Sequence, residues 1–594
     1  MKKSFYKFVV IVAIVAVLVL GWLGFSGDTI LAKLANSFGL FVGAWPDAPK
    51  ELKSEFNYIY IAEIISFGLI VGGVVYLFVL NRVKEYRADS VQNDEYSLIV
   101  GLGEQNSAFL NSFNNPKSVL IVEKDRNNPN INVFEDRGFA IVISDVFEAI
   151  KDLRLGNLKQ AIISTGNDRK NIAIATTLMD AKRDIHTKLF TRVDNRDLNI
   201  LFKQKVIKSR GKNDIITFSL YENMVKDLFE KHSIFGDYDD ILHSNKDFCS
   251  VIVGESVLGL ELVYYLAMLS CLPNENRYTI YLVSPNASRF LQEIKTKYTK
   301  IDDIPHLKIE AINLDYNNLE FFTHNIWHTQ NLSSIYIATD DQEVNIDIAI
   351  KLQDVTYLKD IATKSFKSHV FTAIYNNIGI GEELSKNSEM FNNFYSFADI
   401  ANASSYENLV DEKLDLIAKL IHNDYTGSDI VDENKLNEKW LKLDTHKKES
   451  NKAQALHIDI KLKYLNLKRV PSDKKLSELL KINNEIYEKH LNCPLTIEDI
   501  NRYTKDDFPK KFDTTIDKLA LCEHNRWNAF HYLNGWSYSK DRDDSQKLHN
   551  CLIEFEKFDD EAKETYKYDL LSNYNLPKFL AHAGYEVQIA VSKS

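Results

Sequence analysis

The stretch Tyr96-Ser97-Leu98-Ile99-Val100-Gly101-Leu102-Gly103-Glu104-Gln105-Asn106 decides the fold. Its first five residues have strand character and run directly into a glycine turn, after which the pattern becomes helical. A second strand, Val119 to Val122, ends in Glu123-Lys124-Asp125. A glycine turn lets backbone approach a phosphate at a helix N-terminus, and an acid about 20 residues further on can accept a ribose hydroxyl. Here Gly101 and Glu123 are 22 residues apart. Asn106 stands where GxGxxG would have its third glycine, so the fingerprint is incomplete. Gly101, Gly103, Asn106 and Glu123 are the candidate ligand-binding residues of this first unit.

Working outward, strand Ala140 to Ile143 ends in Ser144-Asp145, and strand Ala161 to Ser164 is followed by Thr165, Asn167-Asp168 and Asn171. This order resembles the TrkA-N, or regulator-of-potassium-conductance (RCK), family over about residues 95 to 210. The resemblance implies a Rossmann fold whose ligand gates a cation pathway, with Gly101, Gly103, Glu123 and Asp145 around the nucleotide. A second copy starts at Ser250-Val251-Ile252-Val253-Gly254 and continues through Gly259, strand Tyr278 to Val283, and strand Ser334 to Ala338 with Thr339, Asp340-Asp341 and Asn345. A strand followed by Thr, an Asp-containing turn and Asn thus occurs twice, which marks an internal repeat. In the second copy Ser284-Pro285 replaces the ribose acid and Gly254-Glu255-Ser256 lacks the second glycine, so it reads as a mainly structural partner. No His, Cys or Tyr-Lys proton-transfer pair accompanies either glycine loop. Binding is therefore expected rather than catalysis, with no catalytic residue and no metal site assigned.

The chain of 594 residues is long enough for about three to five domains. A net charge of -11 argues against a nucleic-acid partner bound through counterion release. Five scattered cysteines, without paired CxxC spacing, read as reduced thiols. Before the first strand lie two apolar runs. Phe8 to Phe25 has 18 uncharged residues and Tyr58 to Leu80 is the second run, each long enough to cross a membrane. A cleaved signal peptide is the alternative for the first, but Gly24-Phe25-Ser26-Gly27 fits a cleavage site poorly. Lys2, Lys3 and Lys7 before the first run, and Arg82, Lys84 and Arg87 after the second, place both termini in the cytoplasm of an inner-membrane protein. Glu63 lies either at headgroup level or facing a pore. Between the runs, Asp28-Thr29 can cap a short helix with Ile30, Leu31, Leu34, Ala35 and Phe38 on one face, and Gly39-Leu40-Phe41-Val42-Gly43 follows. That order is the one expected of a re-entrant pore loop lined from about Ala32 to Trp45; a simple extracytoplasmic hairpin is the alternative. The potassium filter TVGYG is absent.

Residues from about Glu382 to Phe512 show helical periodicity, including Leu414 to Tyr425, with Asn387 to Ser404 and Thr445 to Lys452 as expected loops. Beyond them come LALCEHNRWNAFHYLNGWSY from Leu519, then Arg542, Lys547-Leu548-His549 and Ala583-Gly584-Tyr585. From about Thr514 to Glu586 this resembles the RyR domain, the repeat of ryanodine receptors; prokaryotic members resemble sensors of nucleotide-derived signals. His524, Arg526, Trp527, Trp536, Arg542, Lys547 and His549, with Glu523, combine planar aromatics with cations, a plausible receptor for a stacked purine and its phosphates. The alternative is that Trp527 and Trp536 are core and that Glu523 and Arg526 form a surface pair.

The sequence thus predicts a membrane α-helical hairpin plus α/β: a two-span segment (1–90), two Rossmann-like domains (91–240 and 241–385), a helical connection (386–512) and a small, mainly α RyR domain (513–594). The expected function is a homotetrameric, ligand-gated cation channel opened by a cyclic or adenine nucleotide, NAD-like ligands included, in contact with membrane lipid. A role as an antiviral or stress effector that depolarises the cell is the sharper expectation. The alternative is a non-conducting membrane-anchored sensor that regulates another potassium transporter.

Overall fold

The computed structural model describes residues 2–590 except 26–28, 42–55, 114, 182–186, 209–213, 237, 239, 245, 275, 355–367, 377–392, 411–414 and 427–432. For residues 2–10, 56, 57, 72–81, 204–208, 214, 353, 354, 433 and 434 it describes the backbone element alone.

Three helices open the chain: Lys2–Gly24, Ile30–Gly39 and Phe56–Val91. Thr29 caps the second by accepting the Ala32 N–H at 3.2 Å, as its position before the apolar stripe predicts. The helices pack closely around Val17, Leu40, Ile59 and Ala62. Ser66 Oγ donates to the Leu40 carbonyl at 2.7 Å, fixing the end of the short helix against the long one. The opposite faces are apolar and exposed: Leu31 is 80% and Ile64 70% accessible, and Ile11, Val15, Ile61 and Phe67 lie in the same condition. Among the described residues no helix is long and apolar enough to cross a membrane, so the two spans expected at Phe8 to Phe25 and Tyr58 to Leu80 are not established by the fold. Of the expected pore residues, Gly39 ends the short helix and Leu40 is buried beneath it. Val42 and Gly43 lie outside the described residues.

The Phe56–Val91 helix enters the first α/β domain almost without a linker. Arg87 donates to the carbonyls of Glu135 and Phe139 at 3.2 and 3.4 Å, and Lys84 pairs with Glu135 at 2.8 Å. Gln92 accepts the Arg154 N–H at 2.8 Å, so the helix end is clamped to this domain on two sides.

The first sheet holds β1 (Tyr96–Val100), β2 (Val119–Glu123), β3 (Ala140–Ile143), β4 (Leu158–Ile163), β5 (Lys188–Arg192) and β6 (Asp214–Phe218) in the order β3-β2-β1-β4-β5-β6, every pair parallel. Continuous burial of β1 and β2 fits a sheet covered on both faces. The second holds β7 (Phe248–Val253), β8 (Tyr278–Ser284), β9 (Leu307–Asn313), β10 (Leu332–Ile337), β11 (His369–Ala373) and β12 (Phe394–Phe397) in the order β12-β11-β10-β7-β8-β9. Counted from each first strand the two orders are the same, so the internal repeat is a repeat of topology. The second sheet extends to Phe397, past the boundary at 385 expected from sequence, and β12 occupies part of the expected loop Asn387 to Ser404.

Between the sheets, Ser219 caps the helix Leu220–Lys231, which joins a core that also takes in the almost wholly apolar helix Val257–Leu269 and, from the C-terminal region, Leu456, Ile460 and Phe530. The segment Thr445 to Lys452, expected as a loop, lies in the helix Thr445–Leu456. Asp444 caps it by accepting the Lys447 N–H at 3.0 Å, a signal outweighed in the sequence by the polar run His446 to Lys452. The last strand, β16 (Tyr585–Ile589), pairs antiparallel with β13 (Leu467–Pro471), so the helical connection and the C-terminal module form one unit. Two short strands, β14 (Ser537–Tyr538) and β15 (Leu548–His549), follow the long helix Thr515–Leu533.

Candidate functional site: a glycine-loop cleft and an aromatic cluster

In the first sheet the strand order reverses between β1 and β4, and the loops leaving their carboxyl ends form a crevice there. Gly101 lies at φ +87°, with the Ser164 carbonyl 3.1 Å from where a Cβ would stand. Gly103 differs: at φ -73° and ψ -178° its backbone suits any residue, and among the described residues nothing lies within 4 Å of the position of its absent Cβ. It caps the helix Glu104–Asn111 without a side-chain hydrogen bond, and among the described residues the N–H groups of the first turn have no side-chain acceptor. An uncapped first turn beside an open cavity suits an anionic group.

Glu123 ends β2 and turns back towards this loop. Its Oε2 accepts the Leu102 N–H at 2.6 Å and Asn128 Nδ2 at 3.2 Å, and its Oε1 accepts the Asp125 N–H at 2.7 Å. The carboxylate thus shapes the glycine loop as well as lining the crevice. Asn106 lies elsewhere than expected. Fully buried, it donates from Nδ2 to the carbonyls of Val100, Gly101 and Ser164 at 2.9 to 3.2 Å, tying β1 to β4 behind the loop. Asp145 stands at the rim as the cap of the helix Val146–Asp152. The Phe147 N–H it accepts, then Lys124 at 3.5 Å, hold its carboxyl below the usual range.

The crevice is a cavity of about 690 Å³. Lys170 and Arg192 line it, although neither was singled out from the sequence. Arg192 is held by Asp194 at 2.6 Å and by Gln105 at 3.1 Å. Tyr221 and Met224 of the inter-sheet helix close one side, and Asp340 and Tyr375 of the second copy close another. Burial raises the pKa of Asp340. The site is therefore built by both copies.

In the second copy Gly254 lies at φ +110°, and a Cβ there would stand 2.8 Å from the Ala338 carbonyl. The helix start is occupied: Ser256 Oγ accepts the Gly259 N–H at 3.0 Å and donates to the Ala338 carbonyl at 2.5 Å. The repeated Thr and Asn have one structural role in both copies. Asn171 Oδ1 accepts the N–H and hydroxyl of Thr165 at 2.9 and 2.7 Å, and Asn345 does the same for Thr339 at 2.8 and 2.7 Å. Each then donates to the next strand end, at Arg192 and at Ala373, 3.0 Å in both cases.

The C-terminal candidates divide into two groups. Glu523 and Arg526 are not a surface pair: both are buried, 2.5 Å apart, and Lys461 reaches Glu523 at 2.7 Å. Burial opposes ionisation of Glu523, but Arg526 and Lys461 outweigh it and bring its pKa down to about 2. His524, beside them, meets the Ile553 carbonyl at 2.7 Å and is lowered by burial to about 4. The second group is an aromatic cluster. Trp536 is buried with its ring stacked 5.0 Å from His446, while half-buried Trp527 lies 4.9 Å from His549. His531 bridges them, 3.9 Å from the Trp527 ring and 3.2 Å from His446 Nε2. Arg542 and Lys547 are exposed; Arg542 pairs with Asp544 at 2.7 Å and Lys547 donates to the Asn534 carbonyl at 2.9 Å. His446, some 90 residues from Trp536, is the member no local pattern reveals, and it covers one face of the indole that had been expected to stack on a base.

Residues 97–216 match the family model described as the TrkA-N domain, and residues 503–589 match that of the RyR domain. The chain is also similar to solved structures of GsuK. A GsuK mutant matches at 12% identity and TM-score 0.37, with 69% of this chain and 98% of that one covered. GsuK bound to ADP matches at 12% and 0.36 over the same shares, and the GsuK RCK domain at 10% and 0.36 over 55% and 78%.

Proposed function

We propose that the chain is a subunit of a membrane-embedded cation channel, without catalytic activity, whose first Rossmann domain binds an adenine nucleotide. One observation carries the reading. The uncapped helix start behind Gly101 and Gly103 faces a cavity lined by Lys170 and Arg192, in the domain to which the Phe56–Val91 helix is clamped through Arg87 and Gln92. A nucleotide drawing the second copy's Asp340 and Tyr375 towards the glycine loop would move the first domain, and that helix would carry the motion to the N-terminal hairpin. The exposed apolar faces of the hairpin support burial in lipid. The short helix packed on the Lys2–Gly24 helix, with the residue after it tied by Ser66 to the Phe56–Val91 helix, supports a pore-forming arrangement that four copies would close. Opening would depolarise a membrane, which suits an antiviral or stress effector.

Ion flux from the full chain in liposomes, with ADP and cyclic AMP as the first nucleotides, tests this. Flux should rise with ADP in the wild type and fail to rise in Gly103→Asp, which sets a carboxylate in the open space before the helix. Calorimetry on the same samples should show affinity lowered at least about ten-fold, or 1.4 kcal/mol, in the variant. ADP binding that is lost in the variant, with no flux in either protein, would point to the non-conducting sensor. Unchanged ADP affinity in the variant would remove the cleft from the reading.

A further inference from the structure

We infer that a second cavity, where the C-terminal module meets the inter-sheet helix, is a binding site for an uncharged planar heterocycle carrying a carbonyl acceptor. This cavity has a volume of about 760 Å³. Its apolar wall is made by Phe229, Ile234, Leu269 and Ile460, and the C-terminal module contributes Ala583 and Tyr585.

The polar side is built around Arg469, which also lines it. The Arg469 side chain is only 6% exposed and its guanidinium lies 4.9 Å from the Tyr585 ring centroid. Its Nε and Nη2 are engaged, with Asp459 at 2.8 and 2.7 Å and with Glu230 at 2.7 Å. Among the described residues its buried Nη1 has no hydrogen-bond partner. A buried donor left over is uncommon and marks a place where an acceptor fits. Arg469 already faces two carboxylates, and around the cavity Asp227, Glu230, Glu407 and Asp459 match Lys231, Lys463, Lys468 and Arg469, so no positive charge is left over to offset the desolvation of an incoming anion. A ring carbonyl supplies the acceptor without that cost, and the apolar wall suits a flat ring. Lys231 on the same wall pairs with Asp227 at 2.6 Å, and burial keeps His232 neutral, lowering its pKa to about 4.

The position gives the site a consequence. The helix Leu220–Lys231 lines both cavities, with Leu220, Tyr221 and Met224 at the nucleotide cleft and Asp227, Phe229 and Glu230 here. Twelve residues at 1.5 Å each make it about 18 Å long. A ligand that shifts this helix at one end shifts the wall of the cleft at the other, a coupling that rests on the nucleotide reading above, whereas the site itself does not.

Calorimetry of the full chain with inosine, an uncharged purine nucleoside with a ring carbonyl, tests the site. Inosine should bind with ADP already saturating the cleft, and inosine monophosphate should bind at least about ten-fold more weakly. Ala583→Trp and Ser233→Trp, which fill the cavity from two separate segments of its lining, should each weaken inosine at least about ten-fold while ADP still binds. If one of them melts at a lower temperature than the wild type, the other decides. No inosine binding at millimolar concentration, equal binding of the monophosphate, or affinity retained in a stably folded filled variant would overturn the site. Inosine that binds yet leaves the ADP affinity unchanged would overturn the coupling alone.

Discussion

The two Rossmann copies share strand order and the Thr-Asn tie beneath the fourth strand, yet they differ at the end where a ligand would sit. In the first, Gly103 starts a helix that no side chain caps and Glu123 steadies the loop in front of it. In the second, the Ser256 hydroxyl takes the first-turn N–H and bridges to Ala338. The second copy's helix is instead buried along its length, and Glu261 on it pairs with Arg196 of the first copy at 2.8 Å. The first copy leaves its helix start open to the cavity, and the second supplies part of that cavity's wall. A few side chains at one loop thus set an open helix start apart from a closed one on the same topology.

The largest expected difference between the copies is in acid. The second copy leans on the C-terminal module: the Cys271 carbonyl accepts from Cys522 Sγ at 3.2 Å and meets His457 Nε2 at 2.8 Å. Burial, the leading cause in each case, lowers His457 to about 3 and His446, His524 and His549 to about 4, and holds His531 well below its ordinary value. An unfolded chain protonates these imidazoles near pH 6.5, so between that pH and about 4 the unfolded state binds more protons than the folded one. Stability is then fully present above about pH 6.5 and falls as the pH drops towards 4. At about 1.4 kcal/mol per pKa unit, an imidazole lowered to about 4 contributes on the order of 3 kcal/mol. Glu523, depressed to about 2, adds a loss below its ordinary range as pH falls further. No histidine lines the first copy's cleft among the described residues. Hydrogen exchange at pH 7, 5.5 and 4.5 should show the C-terminal module and β7 to β12 losing protection before β1 to β4. Uniform loss would show that the two halves do not separate.

The next effect is steric. Gly254→Ala forces a side chain onto φ +110° with backbone 2.8 Å from the new Cβ, a cost of about 3 kcal/mol. Gly101→Ala, at φ +87° and 3.1 Å, should cost about 2 kcal/mol. Gly103→Ala meets nothing within 4 Å and should stay within about 0.5 kcal/mol. Calorimetric melts of the three variants should keep that order. A Gly103→Ala protein as unstable as Gly254→Ala would mean that the space before the first helix is not open.

Strands β1 to β4, β7, β8 and β10 are legible in the sequence because buried parallel strands read as short apolar runs rich in Val, Ile and Leu that end at Gly or a polar residue. The others are hidden for identifiable reasons. In β9, at the edge of its sheet, Lys308 and Glu310 alternate with apolar residues, and β12 is a four-residue element after an Asn-rich stretch. The glycine loop and Glu123 were legible since they are local. Lys170, Arg192, Asp340 and Tyr375 were not, because sheet topology alone brings these separate segments to one cavity. The same holds at the C-terminus, where the stretch carrying Glu523, His524 and Trp527 was legible but the Lys461 partner of Glu523 and the His446 cover on Trp536 come from the preceding helices.

The smallest expected effect tests whether Ser256 alone separates the copies. Ser256→Gly removes the cap and frees the Gly259 N–H, but glycine is itself tolerated at a helix cap, with a cost of a few tenths of a kcal/mol. The Ala338 carbonyl also loses a buried donor, worth about 1 kcal/mol, so the total should be close to 1 kcal/mol. The variant copies the open helix start of the first domain, yet Ser284 still stands where Glu123 steadies the first loop, and the chain passes Ala338 closely at Gly254. A second ADP per chain is therefore not expected in calorimetry. If Ser256→Gly does bind a second ADP, one hydroxyl is the whole difference between receptor and wall. If it binds none while its melting temperature falls only slightly, the closure is distributed over Ser256, Ser284 and the tight approach at Gly254.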